Sequence, residues 1–363
     1  MLYDIHQSTA ATFEDALDEI VVAVKQKNEK PLRIVLFGAP NSNAEYVEQR
    51  ALIEQVCRNI DSEYAPLVAY VAHAPMDATI IAEVTYWGQA PAKVERKEDY
   101  IVIDGNFVLS AGLYSDIELH TGLQADNIFD RVAAILSAEG ASPNNIVRQW
   151  NYIEHITDIT PDGQNYQLFN DSRSRFYNSC EWPKGYPAAT GIGTQYGGVV
   201  VVFDVMLNSD ECSHAIDNPL QISAHAYSQE VLINPDSAQH KTTPKFERAR
   251  HIVFTDGSHM LYISGTAAIR GEESCRADIE EQTVLTMENI AKLANKETLE
   301  EYGVKDASEM EYKMLRIYLK YNFNLPMVKS WFEKNYPAIP KVFLLADICR
   351  EELLIEIEGI AAN

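Results

Sequence analysis

The chain has 363 residues, 46% of them hydrophobic and 23% charged, a composition that supports a sizeable core and two domains. Its 53 acidic residues outnumber 30 basic ones, giving a formal charge of −23 that disfavours nucleic acid and anionic membranes, whose phosphates it repels. Any cluster of arginines is therefore notable as a place suited to holding an anion.

Met1-Leu2-Tyr3-Asp4-Ile5-His6 has neither a basic nor an apolar leader region, and no window approaches 18 apolar residues. The five cysteines are odd in number, scattered, and free of CxxC spacing. Cys212-Ser213-His214 lacks the further ligands a metal needs. A cytoplasmic protein with no disulfide framework, no metal and no cofactor is expected.

Residues 1–95 open with an amphipathic stretch, Phe13–Val24, then a buried-type strand, Leu32–Phe37. A helix over Ala44–Ile60 and strands over Leu67–Ala72 and Thr79–Trp87 follow, and Gly88-Gln89-Ala90-Pro91 breaks the pattern. The sequence then repeats itself. Arg96 precedes Tyr100–Gly105 and Phe107–Gly112, and 152 residues later Arg248 precedes His251–Gly257 and Leu261–Gly265. Both are strand–turn–strand units with an Asp-Gly hairpin signal. Each leads to a helix (Ala125–Glu139; Ala277–Ala294), a strand (Ile146–Ile153; Tyr312–Leu319), a second helical segment, a proline and closing strands. The first copy closes at Gly198–Leu207, the second at Val342–Ile348 and Leu353–Ile360.

The expected fold class is α+β, with two tandem modules of mixed sheet and helices on one face. An N-terminal α/β extension spans 1–95, the first module 96–215, a surface connection 216–243 and the second module 244–363.

Three constellations carry chemistry. Tyr166, Asn170 and Arg173 share one helix face, where a hydroxyl, an amide and a guanidinium suit an anionic ligand. Pro187–Thr194 is glycine-rich without the context of a nucleotide loop, and reads as a close backbone approach beside a cleft. Arg248 and Arg250 accompany Ser264-Gly265-Thr266 at a strand end, with Arg270 and Arg276 beyond. Along the last strand, Leu353, Ile355 and Ile357 point one way and Glu356 and Glu358 the other. On residue type alone the glutamate side reads as a solvated face, and the sharper reading is a general acid on a rigid strand.

On these residues the second copy resembles the YjgF-type enamine/imine deaminases, through Ile263-Ser264-Gly265-Thr266 and Ile355-Glu356-Ile357-Glu358. Residues 145–363, through Tyr166–Arg173, Pro187–Gly193, Ile263–Ile269 and Ala346–Glu358, resemble the chorismatase family, whose members hydrolyse or rearrange chorismate. The resemblance implies two YjgF-like modules, a small anionic substrate (chorismate), and Glu356 as the catalytic acid/base. It points to a cleft between the modules lined by substrate-binding Tyr166, Arg173, Arg248, Arg250, Ser264, Gly265 and Thr266. The deaminases carry an arginine after the proline that precedes their closing strands; here Lys341 follows Pro340, and lysine lacks the bidentate fork. A chorismatase-type enzyme releasing pyruvate is the leading expectation. A deaminase-like enzyme and a non-catalytic metabolite-binding protein are the alternatives. Either a pseudo-symmetric monomer or a homo-oligomer suits such a repeat.

Overall fold

The central strands of the sheets are buried on both faces, as in Val199–Met206, where all eight residues are buried. That requires a layer on each side of each sheet. The computed structural model describes residues 1–60, 65–87, 93–208, 212–229, 242–305 and 307–363. The predicted break at 88–91 and much of the predicted connection, 230–241, lie outside them.

The first sheet is built from β1 (Leu2–Ser8), β2 (Lys30–Phe37), β3 (Leu67–Val71) and β4 (Ile80–Trp87), with helices α1 (Phe13–Lys25) and α2 (Asn43–Cys57) between them. Thr12 and Ser42 cap the two helices by accepting from the backbone N–H three residues on. The second sheet contains β5 (Val94–Arg96), β6 (Tyr100–Ile103), β7 (Phe107–Ser110), the short β8 (Leu113–Tyr114) and, after α3 (Thr121–Ala138), β9 (Ile146–Glu154). A small hairpin of β10 (Ile159–Thr160) and β11 (Gly163–Gln164) leads into α4 (Asn165–Tyr177), and β12 (Ala188–Thr194) and β13 (Val199–Met206) complete the sheet. The third contains β14 (Ser213–Ile216), β15 (Ala249–Val253) and β16 (His259–Ala267). A hairpin of β17 (Ile269–Arg270) and β18 (Glu273–Ser274), helices α5 (Ile279–Ala294) and α6 (Lys296–Glu301), β19 (Glu311–Leu319), α7 (Leu325–Asn335), β20 (Lys341–Leu345) and β21 (Ile355–Ala362) follow.

The strand orders are β12-β9-β13-β7-β6-β5 and β20-β19-β21-β16-β15-β14, the same path twice. In both, the edge pair is parallel, because a helix crosses between its strands, and the remaining pairs along the path are antiparallel. The two modules expected from the repeat are present. The N-terminal sheet, β3-β2-β4-β1, follows the same path without the leading hairpin strand, and is a third, shorter copy.

Three hydrophobic clusters lie between a sheet and its own helices, one per copy. A fourth joins all three sheets on their opposite faces, from Val35 and Phe37 through Trp150 and Val202 to Tyr318 and Ile360. At its centre, each middle strand gives an arginine to the closing strand of the next copy. Arg33 donates to Asp204 (2.5 Å), Arg148 to Glu358, and Arg316 to Glu83 (Nε to Oε1, 2.8 Å). This cyclic exchange follows a pseudo-threefold axis. His73, stacked on Phe37, reaches across to the Gly193 carbonyl at 2.8 Å.

Candidate active site

Glu356 sits on β21 between Ile355 and Ile357, which point into the helix-side core. The alternation therefore turns Glu356 and Glu358 towards the seam between the first and second modules. They are 5% and 2% exposed, so the solvated-face reading of the last strand does not hold: the face is covered by the neighbouring module.

The opposite strand shifts register between Ile263 and Thr266, and this irregularity places Ser264-Gly265 at the seam. A Cβ at Gly265 would overlap Glu356 Oε1, so glycine is what lets the carboxyl group rest against the backbone. Gly265 N–H donates to Thr190 Oγ1 (2.9 Å), which in turn donates to Glu358. Glu358 also accepts from Arg148, Arg316 (2.6 Å) and Tyr318 (2.9 Å).

The two carboxyl groups are driven apart. Burial, reinforced by the charge of Glu358, pushes the Glu356 carboxyl up to about 8 against the opposing pull of Arg248 and Arg148. Burial acts on Glu358 in the same sense, but Arg316 and Arg148, with hydrogen bonds from Thr190 and Tyr318, outweigh it and hold that carboxyl below its ordinary range. Near neutrality one is an acid and the other a fixed anion.

Glu356 forms part of the wall of a cavity of about 900 Å³ between the two modules. The first module contributes Tyr166, Gln167 and Asn170 from α4, and Ala189 and Gly191 from β12. The second contributes Phe246, Arg248, Gly265, Ala267, Arg276, Cys349 and Arg350, and Tyr227 comes from the stretch that joins the modules. Arg248 donates to Tyr227 Oη (2.6 Å) and the Ile222 carbonyl (2.9 Å), while its buried Nε has no protein partner among the described residues. The Arg350 guanidinium lies 5.1 Å from the centre of the Tyr227 ring. Cys349, beside Glu356, has its thiol pushed up to about 12 by burial and the neighbouring carboxyl.

Of the residues expected in the site, Glu356, Tyr166, Arg248 and Gly265 line this cavity. Arg173 is buried one layer behind, donating to Asn170 Oδ1 at 2.6 Å. Three others do not face it. Arg250 is tied to Ser213 Oγ and the carbonyls of Lys184, Gly185 and Tyr186, fixing the approach to β12. Ser264 accepts from Ala189 N–H and donates to the Glu247 carbonyl, and Thr266 donates back to the Ser264 carbonyl. These side chains hold the seam together. Arg350 and Tyr227 were not singled out from sequence. Arg350 stands in the Ala346–Arg350 stretch just before the closing strand, whereas Tyr227 carries no local signal.

This seam is open at its Ser-Gly turn, unlike the one between the N-terminal copy and the first module. At the equivalent point between the N-terminal copy and the first module, Gly112 N–H donates to the Val68 carbonyl (3.0 Å). There the Tyr114 hydroxyl covers the Gly112 Cα, much as the Glu356 carboxyl covers Gly265. Tyr46 and Tyr70, stacked at 5.0 Å, fill the space beyond.

Residues 85–204 match the family model "Chorismatase FkbO/Hyg5-like, N-terminal", a region beginning earlier than the resemblance expected from sequence. A 3-hydroxybenzoate synthase of Streptomyces hygroscopicus is 28% identical over 226 residues, covering 60% of this chain and 63% of that protein. A chorismatase of the same organism is 30% identical over 222 residues, covering 60% and 61%. The match thus spans a little under two thirds of these relatives. A chorismatase crystal structure superposes with a TM-score of 0.74 at 20% identity, covering 99% of this chain and 98% of that one. The chain has the chorismatase fold, and part of its sequence is similar to the FkbO/Hyg5-like chorismatases.

Proposed function

We propose that the protein cleaves the enolpyruvyl ether of chorismate, releasing pyruvate and either a dihydroxycyclohexadiene carboxylate or a hydroxybenzoate. The observation that carries this reading is the geometry at the cavity wall: the buried Glu356 carboxyl faces the cavity, and behind it Glu358 is held by Arg148, Arg316, Thr190 and Tyr318. Glu356 gives its proton to the enolpyruvyl methylene, leaving an oxocarbenium at the ether carbon. In the hydrolytic route water adds to that carbon, the ionised Glu356 takes a proton from it, and the hemiketal collapses to pyruvate and the ring alcohol. That route consumes one water. Pyruvate and a hydroxybenzoate together have the atoms of chorismate alone, so the second route consumes none.

Chorismate carries two carboxylates, and the cavity presents Arg248 and Arg350, 5.6 and 5.1 Å from the Tyr227 ring centre. These are assigned to the carboxylates, with Tyr166 and Asn170 closing the first-module side, Asn170 held by Arg173. With boundaries near residues 95, 215 and 244, the site draws on both larger modules.

The deaminase alternative lacks its cation. Pro187 is followed by Ala188 and Ala189, the latter on the cavity wall, and Lys341 donates to the carbonyls of Tyr336 (3.0 Å) and Ile339 (2.8 Å). Chromatography of chorismate incubations tests the proposal: pyruvate must appear in step with one of the two ring products. Heavy-oxygen water labels pyruvate's carbonyl directly in the hydrolytic route. Unchanged chorismate sinks the enzyme reading; if chorismate still raises the melting temperature, the metabolite-binding alternative takes its place.

A further inference from the structure

The N-terminal copy places none of its described residues on the cavity wall, yet it is wired to the acid through buried charges. Glu358 accepts from Arg148 of the first module and Arg316 of its own. Arg316 turns its other edge to Glu83 on β4, donating through Nε (2.8 Å) and Nη2. All four groups are buried, and their two guanidiniums balance their two carboxylates.

The geometry points to Glu83 as a positioning residue: by occupying Arg316, it keeps the buried network neutral without a charge on Glu356, and so keeps the acid's proton in place. This rests on the assignment of Glu356 as proton donor. If Glu83 were uncharged, Arg148 and Arg316 would exceed Glu358 by one positive charge, and ionised Glu356 would be the group that restores balance.

The other groups facing Glu356 leave this role open. Arg248, ahead of β15, and Arg148, on β9, favour its ionised form, and Glu358 opposes it. Cys349 and Tyr166 both have their ionisation pushed up by burial, and stay neutral. Around Arg316, Tyr152 and Tyr318 are likewise held neutral by burial, and His73 is pushed down to about 4 by burial, the charge of Arg316 adding to it. Glu83 is thus the counter-charge that Arg316 has beyond Glu358.

The test reads the proton directly, without substrate. In infrared spectra of the substrate-free protein, the protonated Glu356 carboxyl is the C=O band absent from Glu356→Gln, and its loss with rising pH gives a midpoint. Glu83→Gln lowers that midpoint by about one pH unit for a charge acting through one intervening guanidinium at an effective dielectric near 20. Glu83→Asp, which keeps the charge, restores it. An ion pair serving only to join the sheets changes the melting temperature and leaves the midpoint where it was. A second route covers a misfolded Glu83→Gln. Arg316→Gln raises the midpoint, and Arg316→Gln with Glu83→Gln brings it back down. An unmoved midpoint in Glu83→Gln, or equal midpoints in the two Arg316 variants, overturns the proposal. Because no chorismate is present, neither result depends on whether the enzyme releases pyruvate.

Discussion

Arg148 and Glu358, 210 residues apart in sequence, form an ion pair buried on both sides at the seam between two copies of one fold. The pair fixes the negative charge beneath the proposed acid, and Thr190 extends it to the Gly265 backbone. Removing Arg148 leaves the buried Glu358 and Glu83 to share the single charge of Arg316. Arg148→Met is expected to cost about 3–5 kcal/mol in urea unfolding, and Arg148→Met with Glu358→Gln to recover much of it.

Gly265→Ala tests the close approach of the acid to the backbone. The added methyl group overlaps Glu356 Oε1 and comes within 3.0 Å of Thr190 Cγ2, so the carboxyl must move. A displacement of roughly 1 Å predicts a fall in kcat of about 100-fold. The melting temperature should change little, because the carboxyl can swing into the cavity.

Loss of the Glu356 proton sets the alkaline limit of activity. Its carboxyl is raised to about 8, so kcat for pyruvate release is expected to be steady near neutrality and to fall as pH passes that value. The same shift bears on stability. Protonated in the fold and ionised when unfolded, Glu356 contributes stability fully below the ordinary carboxyl range, and that contribution is lost as pH rises through about 8. Glu356→Gln should therefore unfold with less alkaline sensitivity than the native chain.

His73 predicts the opposite limb. Burial, with the charge of Arg316, brings it down to about 4 from 6.5, so its contribution is present above 6.5 and lost as pH falls through about 4. The span corresponds to about 3 kcal/mol. His73→Gln can keep a donor to the Gly193 carbonyl but does not titrate. A flatter acid-unfolding profile between those values is the expected result, read by circular dichroism.

Arg248 is assigned to a substrate carboxylate, because it lines the cavity and its Nε has no protein partner among the described residues. Arg248→Gln should raise KM for chorismate by about 10- to 100-fold, the worth of one charge-assisted hydrogen bond, with a smaller effect on kcat.

The sequence made the two modules legible because each announces itself with an Asp-Gly hairpin at a fixed offset, and the closing strand declared its faces by alternation. The third copy was hidden because it lacks that hairpin strand and shares only the order of its elements. Glu356 was readable from its strand and the Ser-Gly turn opposite. Arg250, Ser264 and Thr266 looked equally suited, but their side chains are taken up by the backbone of Lys184–Tyr186, of Ala189 and Glu247, and of Ser264, contacts that carry no local sequence signal. The Arg33–Asp204, Arg148–Glu358 and Arg316–Glu83 exchange has no local signal. Each pair joins strands of different copies, and inside strands buried on both faces an arginine is indistinguishable in pattern from its apolar neighbours.

The proposed role of Glu356 is to protonate chorismate. Pyruvate release by the native protein and by Glu356→Gln, followed at neutral pH through a coupled dehydrogenase with chorismate loss recorded in parallel, tests it most directly. The native protein is expected to release pyruvate in step with chorismate loss, and a folded Glu356→Gln to release none. Chorismate left intact by the native protein, or undiminished pyruvate from Glu356→Gln, would contradict it.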